Sequence, residues 1–223
     1  MYQLIPDFID QARLASLRDS ITPLEWEDGA LTAGQARNRK NNLQLTHQNE
    51  TVAPLLQQAA RAVISHPGVQ QWAEPRRIAR ILFARYDAGM YYQSHNDAAI
   101  VHHQGSAARA DISFSLLLSE ADDYSGGELV LETASGEVAI KAAAGTLLLY
   151  DTGLRHRVET VDSGSRLVLL GWIESLVRAA EARAVLRDLN PLIRAAMERD
   201  PDGDEVIQLR RVRASLMRMW AET

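Results

Sequence analysis

The spacing of apolar residues along the chain is helical first, then alternating, then helical again. Leu14, Leu17 and Ile21 recur at helical intervals, and Asp7 or Asp10 stands where an N-cap belongs, so a helix is predicted up to about Ile21. A second helix is predicted from near Thr51, with Pro54 in its first turn and Leu55, Leu56, Ala59, Val63 and Ile64 along it. His66-Pro67-Gly68 reads as its end. Residues 22–48 are polar and carry no clear period.

From Ile78 the pattern becomes strand-like. Ile78 to Tyr86 is an apolar run, and Ile112, Phe114, Leu116 and Leu118 alternate with Ser113, Ser115 and Leu117. Glu128–Glu132, Glu137–Lys141, Thr146–Tyr150, His156–Val161 and Arg166–Ile173 follow as further strands. Gly126-Gly127, Ser135-Gly136, Ala144-Gly145 and Ser163-Gly164 separate them as turns. Many short strands with glycine turns predict a sandwich, a jelly roll or a barrel. The helical period returns over residues 175–188. Asn190-Pro191 reads as the cap and first position of another helix. Asp204 caps a last one that carries Val206, Leu209, Val212, Leu216 and Trp220 on one face. The organisation expected is residues 1–174 as one domain, with its β core at about 78–174, and residues 175–223 as a C-terminal helical extension.

Composition narrows the class. The chain has 223 residues, 46% of them hydrophobic and 24% charged, so it can bury a core without metal or disulfide staples. A bound metal would therefore serve chemistry. A net charge of −5 and only short basic pairs, Arg76-Arg77 and Arg210-Arg211, argue against nucleic acid as a partner. The absence of cysteine excludes disulfides, zinc thiolates and iron–sulfur clusters. The start, Met1-Tyr2-Gln3-Leu4-Ile5, lacks a signal-peptide pattern, and no long apolar run predicts a membrane span, so a cytoplasmic protein is expected.

Three residues stand out as metal ligands. His95-Asn96-Asp97 is a His-x-Asp, weak alone, because it also describes two solvated residues of a loop. In an extended stretch, positions i and i+2 point to one side, so His95 and Asp97 can aim at one point. His156, opening a late strand, supplies a second imidazole. Two histidines and one carboxylate on one side of a metal suit non-haem Fe(II) oxygenases. Arg166, after the next glycine turn, offers a fork to the far carboxylate of 2-oxoglutarate. Adjacent antiparallel strands are expected to set His156 and Arg166 side by side. Arg166, Val168, Leu170 and Trp172 then share the cavity face, and the Tyr86 hydroxyl is a second partner for the far carboxylate.

Other candidates read more plainly. His102 and His103 read as polar loop residues and Trp172 as core, while Tyr91 and Tyr92 line the rim or the substrate entrance. Asp200-Pro201-Asp202-Gly203-Asp204 reads as a turn and cap. As a calcium loop its glycine falls too early, and Arg211 stands where a bidentate Glu is required.

Taken in order, these pieces resemble the bacterial PKHD-type hydroxylases, prolyl-hydroxylase-like Fe(II)/2-oxoglutarate oxygenases associated with iron uptake. The matching segments are Phe83-Ala84-Arg85-Tyr86-Asp87-Ala88-Gly89-Met90-Tyr91, His95-x-Asp97, Ser113–Leu118 and Asp122-Asp123-Tyr124-Ser125-Gly126-Gly127-Glu128-Leu129. Ala144-Gly145-Thr146-Leu147-Leu148-Leu149-Tyr150, His156, Val158, Arg166, Trp172-Ile173 and Ser175-Leu176 complete the set. The resemblance implies a double-stranded β-helix (a cupin-like jelly roll). It also implies His95, Asp97 and His156 on Fe(II), Arg166 on 2-oxoglutarate, and L-ascorbate as a helper. O2 and an unidentified substrate, peptidyl, amino-acid or small-molecule, would be the other reactants. Two positions depart from the family: Ala98 follows the Asp where Asn is common, and Arg157 follows the last His where a smaller residue is expected. Asp97 favours hydroxylation over halogenation, which requires the carboxylate to be missing. The rival of another class is a non-catalytic, cupin-like metal-binding or interaction protein with its helical tail as a docking surface. The same tail is a candidate homo-oligomer interface.

Overall fold

The computed structural model describes residues 1–32, 38–103 and 105–222. Strand β1 (Tyr2–Ile5) and helix α1 (Gln11–Ile21) come first, then short strands β2 (Glu27–Asp28), β3 (Lys40–Asn41) and β4 (Leu43–Leu45). Helices α2 (Val52–Ser65) and α3 (Pro67–Ala73) lead into β5 (Pro75–Asp87) and β6 (Tyr91–His95). The hairpin β7 (Ile100–His103) and β8 (Ser106–Arg109) precedes β9 (Ile112–Leu117), β10 (Tyr124–Gly126), β11 (Leu129–Thr133) and β12 (Gly136–Ile140). The core closes with β13 (Leu147–Asp151), β14 (His156–Val158) and β15 (Val161–Ser175), and helices α4 (Ala180–Arg199) and α5 (Asp204–Trp220) follow.

Two antiparallel sheets form the core. The larger has eight strands in the order β1-β13-β9-β15-β5-β4-β2, with β10 also paired to β15. The smaller has five, in the order β12-β11-β14-β6-β3. This is the jelly roll the sequence leads one to expect. The period-2 pattern explains the layers. On β5, Ile81 and Phe83 turn to a helix-side core with α1, α2 and α3, while Leu82, Ala84 and Tyr86 turn to the space between the sheets. Leu147 and Leu149 of β13 face the helices, and Leu148 and Tyr150 face the smaller sheet. Strands buried on both faces need apolar residues at both parities, which is why they read as near-continuous hydrophobic runs. Each fully buried Leu or Phe contributes roughly 1.5–3 kcal/mol.

Several local expectations are corrected. His66-Pro67-Gly68 ends one helix and also starts the next: the His66 ring accepts from the Gly68 N–H at 3.1 Å, and Pro67 occupies the first turn of α3. Ser163-Gly164 is not a turn but part of β15, paired with Ser125 and Tyr124 of β10. Gly164 has φ +76°, and a Cβ there would sit 2.1 Å from the Asp123 carbonyl oxygen, so only glycine lets the two strands approach. Residues on both sides of Asn190-Pro191 form one helix, with Pro191 inside α4. Burial of Leu186, Ile193 and Ala196 and two bonds from the Asn190 amide, to the Gln71 carbonyl at 2.8 Å and from Arg213 at 3.0 Å, hold the helix through the missing N–H. Strands β1, β2, β3, β4, β7, β8 and β10 carried no signal strong enough to be predicted.

The C-terminal helices are tied down by charge as well as packing. Arg183, 3% exposed, bonds Asp151 of β13 at 3.1 Å and the Val177 and Arg178 carbonyls at 3.0 and 2.7 Å. Arg213 of α5 pairs with Glu74, and Arg109 pairs with Glu222 at 2.8 Å. Among the described residues, no helix is long and apolar enough to cross a membrane.

Candidate metal centre and its cavity

β6 and β14 are neighbours in the smaller sheet, and their register sets His156 directly opposite His95. The two rings lie 4.3 Å apart between centroids, and Tyr92 stacks on His95 at 3.6 Å. β6 ends at His95, so Asp97 lies just beyond the strand rather than within it. It still meets the histidines: His95 Nε2 is 3.7 Å from Asp97 Oδ1, and His156 Nε2 is 3.7 Å from Asp97 Oδ2. One ligand atom from each of the three lies within 4.8 Å of the others, a spacing that fits a single metal ion.

The surroundings prepare each side chain. His95 Nδ1 donates to the Gln93 carbonyl at 2.8 Å, and His156 Nδ1 donates to the Leu154 carbonyl at 2.9 Å. A carbonyl can only accept, so each Nδ1 carries the proton and each Nε2 keeps its lone pair for the shared point. Burial, then the neighbouring His156, pushes the His95 imidazole well below its usual pKa, which keeps it neutral and able to coordinate. Asp97 Oδ2 accepts from Ser113 Oγ and from Trp172 Nε1, both at 2.9 Å. Among the described residues, that leaves Oδ1 without a hydrogen-bond donor. Ser113 also reaches Thr152 at 3.0 Å, and Asn96 ties its loop to the Gly153 carbonyl at 3.0 Å.

Arg166 lies elsewhere than expected. β14 belongs to the smaller sheet and β15 to the larger, so His156 and Arg166 face each other across the interior instead of sitting side by side. Arg166 is paired in register with Tyr86 on β5, its guanidinium 5.3 Å from the Tyr86 ring centroid. It is 3% exposed and has no carboxylate at ion-pair distance among the described residues. Burial pushes the Tyr86 hydroxyl up to about 12, opposed by the Arg166 charge. Tyr124 and Tyr150 are also raised by burial and also feel Arg166. A cation is thus held in a nest of protonated tyrosines.

His95, Asp97, His156, Tyr86, Tyr150 and Arg166 open into one cavity of about 410 Å³. Both sheets line it: Lys40, Tyr92, His95 and His156 from the smaller, and Arg80, Tyr86, Ser113, Arg166 and Trp172 from the larger. Arg157 is not among the lining residues. It points outward, to Glu137 at 2.7 Å and Glu159 at 2.7 Å, so the departure at this position leaves the cavity unaltered. Ala98 does line the cavity. Sequence reasoning put Trp172 on the cavity face, where it lies, but read it as core and missed both it and Ser113 as partners of Asp97. The signal for both was a polar atom on the cavity-facing parity of an otherwise apolar strand. Arg80 carried the same signal on β5 and was passed over, whereas Lys40 carried none.

Comparisons with known proteins give the family and the fold. A model described as the 2OG-Fe(II) oxygenase superfamily matches residues 81–174. A PKHD-type hydroxylase of Acaryochloris marina is 37% identical over 223 residues, covering 100% of both chains. Another, from Maricaulis maris, is 40% identical over 207 residues, 92% of each chain. In fold the chain is similar to a crystal structure of a Pseudomonas putida prolyl-4-hydroxylase, with TM-score 0.55 and 20% identity over 78% of this chain and 92% of that one.

Proposed function

The chain belongs to the PKHD-type hydroxylases of the 2OG-Fe(II) oxygenase superfamily, a 2-oxoglutarate-dependent dioxygenase, and from that premise we propose that His95, Asp97 and His156 hold the iron and that Arg166 and Tyr86 hold the far carboxylate of 2-oxoglutarate. The observation that carries the reading is the convergence of two lone-pair-bearing Nε2 atoms and one carboxylate within 4.8 Å. Two imidazoles and a carboxylate are the donor set that suits ferrous iron and leaves positions open to other ligands. Iron and 2-oxoglutarate, when bound, supply the oxidising chemistry: O2 and 2-oxoglutarate are consumed, succinate and CO2 are released, and a substrate C–H bond is hydroxylated.

The protein's own part is orientation. The Gln93 and Leu154 carbonyls hold the imidazole tautomers, and Ser113 and Trp172 hold the carboxylate. The Tyr86 hydroxyl, pushed up to about 12 by burial, stays protonated at neutral pH and donates to a carboxylate. The Arg166 guanidinium, buried with no acidic partner among the described residues, is relieved by an anionic guest. The apolar walls, Leu82, Leu129 and Leu170 among them, exclude water from the reacting groups.

Residues 1–174 form the dioxygenase domain in this reading and residues 175–223 an extension. Ascorbate serves as reductant, and the cysteine-free composition supports a cytoplasmic setting. Exposed Leu192, Ile207, Val212 and Met219 on the last two helices support self-association there, which light scattering would register as twice the chain mass. The central test is anaerobic addition of Fe(II) and 2-oxoglutarate. A visible charge-transfer absorption is expected, lost in His95→Ala and in Asp97→Ala. No absorption in the unmodified protein, and no succinate formed in air, would overturn the reading.

A further inference from the structure

Arg80 occupies the cavity face of β5, in the same two-residue alternation as Leu82, Ala84 and Tyr86. It is half-buried, yet it makes no hydrogen bond and no ion pair among the described residues. Its register partner on β15 is Trp172, the residue that donates to Asp97. Arg80 therefore stands at the metal end of the cavity. Six positions along the same strand separate it from Tyr86, roughly 20 Å at about 3.3 Å per residue. An anion on Arg80 cannot be the one held by Arg166 and Tyr86.

From the opposite sheet Lys40 lines the same space, its Nζ 5.2 Å from the Tyr92 ring centroid. The charge of Arg80 reaches it: burial first, and then Arg80, pull the Lys40 ammonium down to about 8. Two cations face one cavity; among the described residues its lining holds one acidic group, Asp97, while Asp28 also acts on Lys40. With a divalent metal bound, the Asp97 carboxylate is more than neutralised. A 2-oxoglutarate bound as proposed above commits one carboxylate to the metal and the other to Arg166. No negative charge then remains for Arg80, and a half-buried guanidinium without a partner is costly.

Resting on that reading of the site, we propose that Arg80, reinforced by Lys40, anchors the primary substrate, and that this substrate is a carboxylate-bearing molecule whose reacting carbon lies a few bonds from the carboxylate. The planar fork of Arg80 fits a carboxylate with two parallel hydrogen bonds, and the compact Lys40 ammonium adds charge without imposing a direction. The short span between Arg80 and the Asp97–Trp172 pair limits how far the oxidised carbon can lie from the anchoring group.

The experiment uses the full chain loaded with Mn(II) and saturated with 2-oxoglutarate. The probes are the N-acetyl-L-amino acids and their primary amides, screened by saturation-transfer NMR and followed up by calorimetry. Acids are expected to bind and their amides to fail. In Arg80→Gln the acids should weaken by about thirtyfold or more, the loss typical of removing one partner from a hydrogen-bonded charge pair. In Lys40→Gln the loss should be smaller, and Arg80→Lys should recover part of the binding. The 2-oxoglutarate affinity of Arg80→Gln should match that of the unmodified chain. Acids and amides binding equally, no probe binding at all, or acids binding undiminished to Arg80→Gln would each overturn the proposal. The preference for acids in the unmodified chain stands as a test even if Arg80→Gln fails to fold. Loss of 2-oxoglutarate in Arg80→Gln would make Arg80 part of the cosubstrate clamp and overturn the proposal. Indifference of 2-oxoglutarate to Arg166→Ala would instead break the functional reading beneath it.

Discussion

The two sheets face each other across one cavity and supply different parts of it. The smaller sheet brings the histidines, on strands of 5 and 3 residues, with a register shift between His156 and Val158. The larger sheet brings Arg166, Tyr86, Ser113 and Trp172, and its central strands β5 and β15 run for 13 and 15 residues. The long strands are buried on both faces and cannot shift without disturbing the helix-side core. His95 and His156 sit at the ends of short strands and Asp97 just beyond one, so their geometry depends on loop hydrogen bonds and on each other. A rigid wall thus holds Arg166 and orients the Asp97 carboxylate, while a more lightly built wall presents the imidazoles.

That contrast makes graded predictions. Removing a ligand should have the largest effect: His156→Ala should abolish metal retention after dialysis and succinate release, with the unfolding midpoint of the metal-free protein little changed. Metal content near one per chain in that variant would show that the smaller sheet does not hold the ion. Next, Phe114→Ala, on the helix side of the larger sheet, should lose about 3–5 kcal/mol in denaturant unfolding while the folded fraction keeps its metal affinity. Loss of metal without loss of stability would reverse the roles assigned to the two walls.

Arg166→Ala should weaken 2-oxoglutarate by about 2–5 kcal/mol in calorimetry and leave iron affinity in place. Equal losses of both would argue that Arg166 acts on the metal. Trp172→Phe keeps the ring's bulk and removes one of two donors to Asp97, so metal affinity should fall by roughly 10–100-fold, less than for a lost ligand. An unchanged affinity would mean that Ser113 alone holds the carboxylate. The smallest effect belongs to Arg157→Ala. Its side chain is bound to Glu137 and Glu159 outside the cavity, so turnover and metal affinity should match the unmodified chain in a steady-state assay.

Much of this was readable before any coordinates. The Ile112 to Leu118 alternation revealed a strand, because a period of two is a purely local consequence of the pleat, but its burial on both faces came from the packing of the helices and the second sheet. His95 and Asp97 were readable as a pair for a related reason: residues two apart meet whenever the chain is extended. Asn190-Pro191 misled because proline's local preference favours a helix start, and packing of Ile193 and Ala196 outweighed it. Ser163-Gly164 misled because a glycine that permits close approach and a glycine that makes a turn look alike in a string of letters.

By itself, the order of residues determined the parities of the strands, and with them which side chains enter the interior. It also supplied the donor set, two imidazoles and a carboxylate. Only the tertiary structure decided that His156 and Arg166 belong to opposite sheets, that Trp172 and Ser113 converge on Asp97, and that Arg80 stands beside Trp172 with no counter-charge among the described residues. The reason is range. Pleat and helix periods arise from neighbours along the chain, whereas sheet partnership is set by which apolar faces bury one another across long separations.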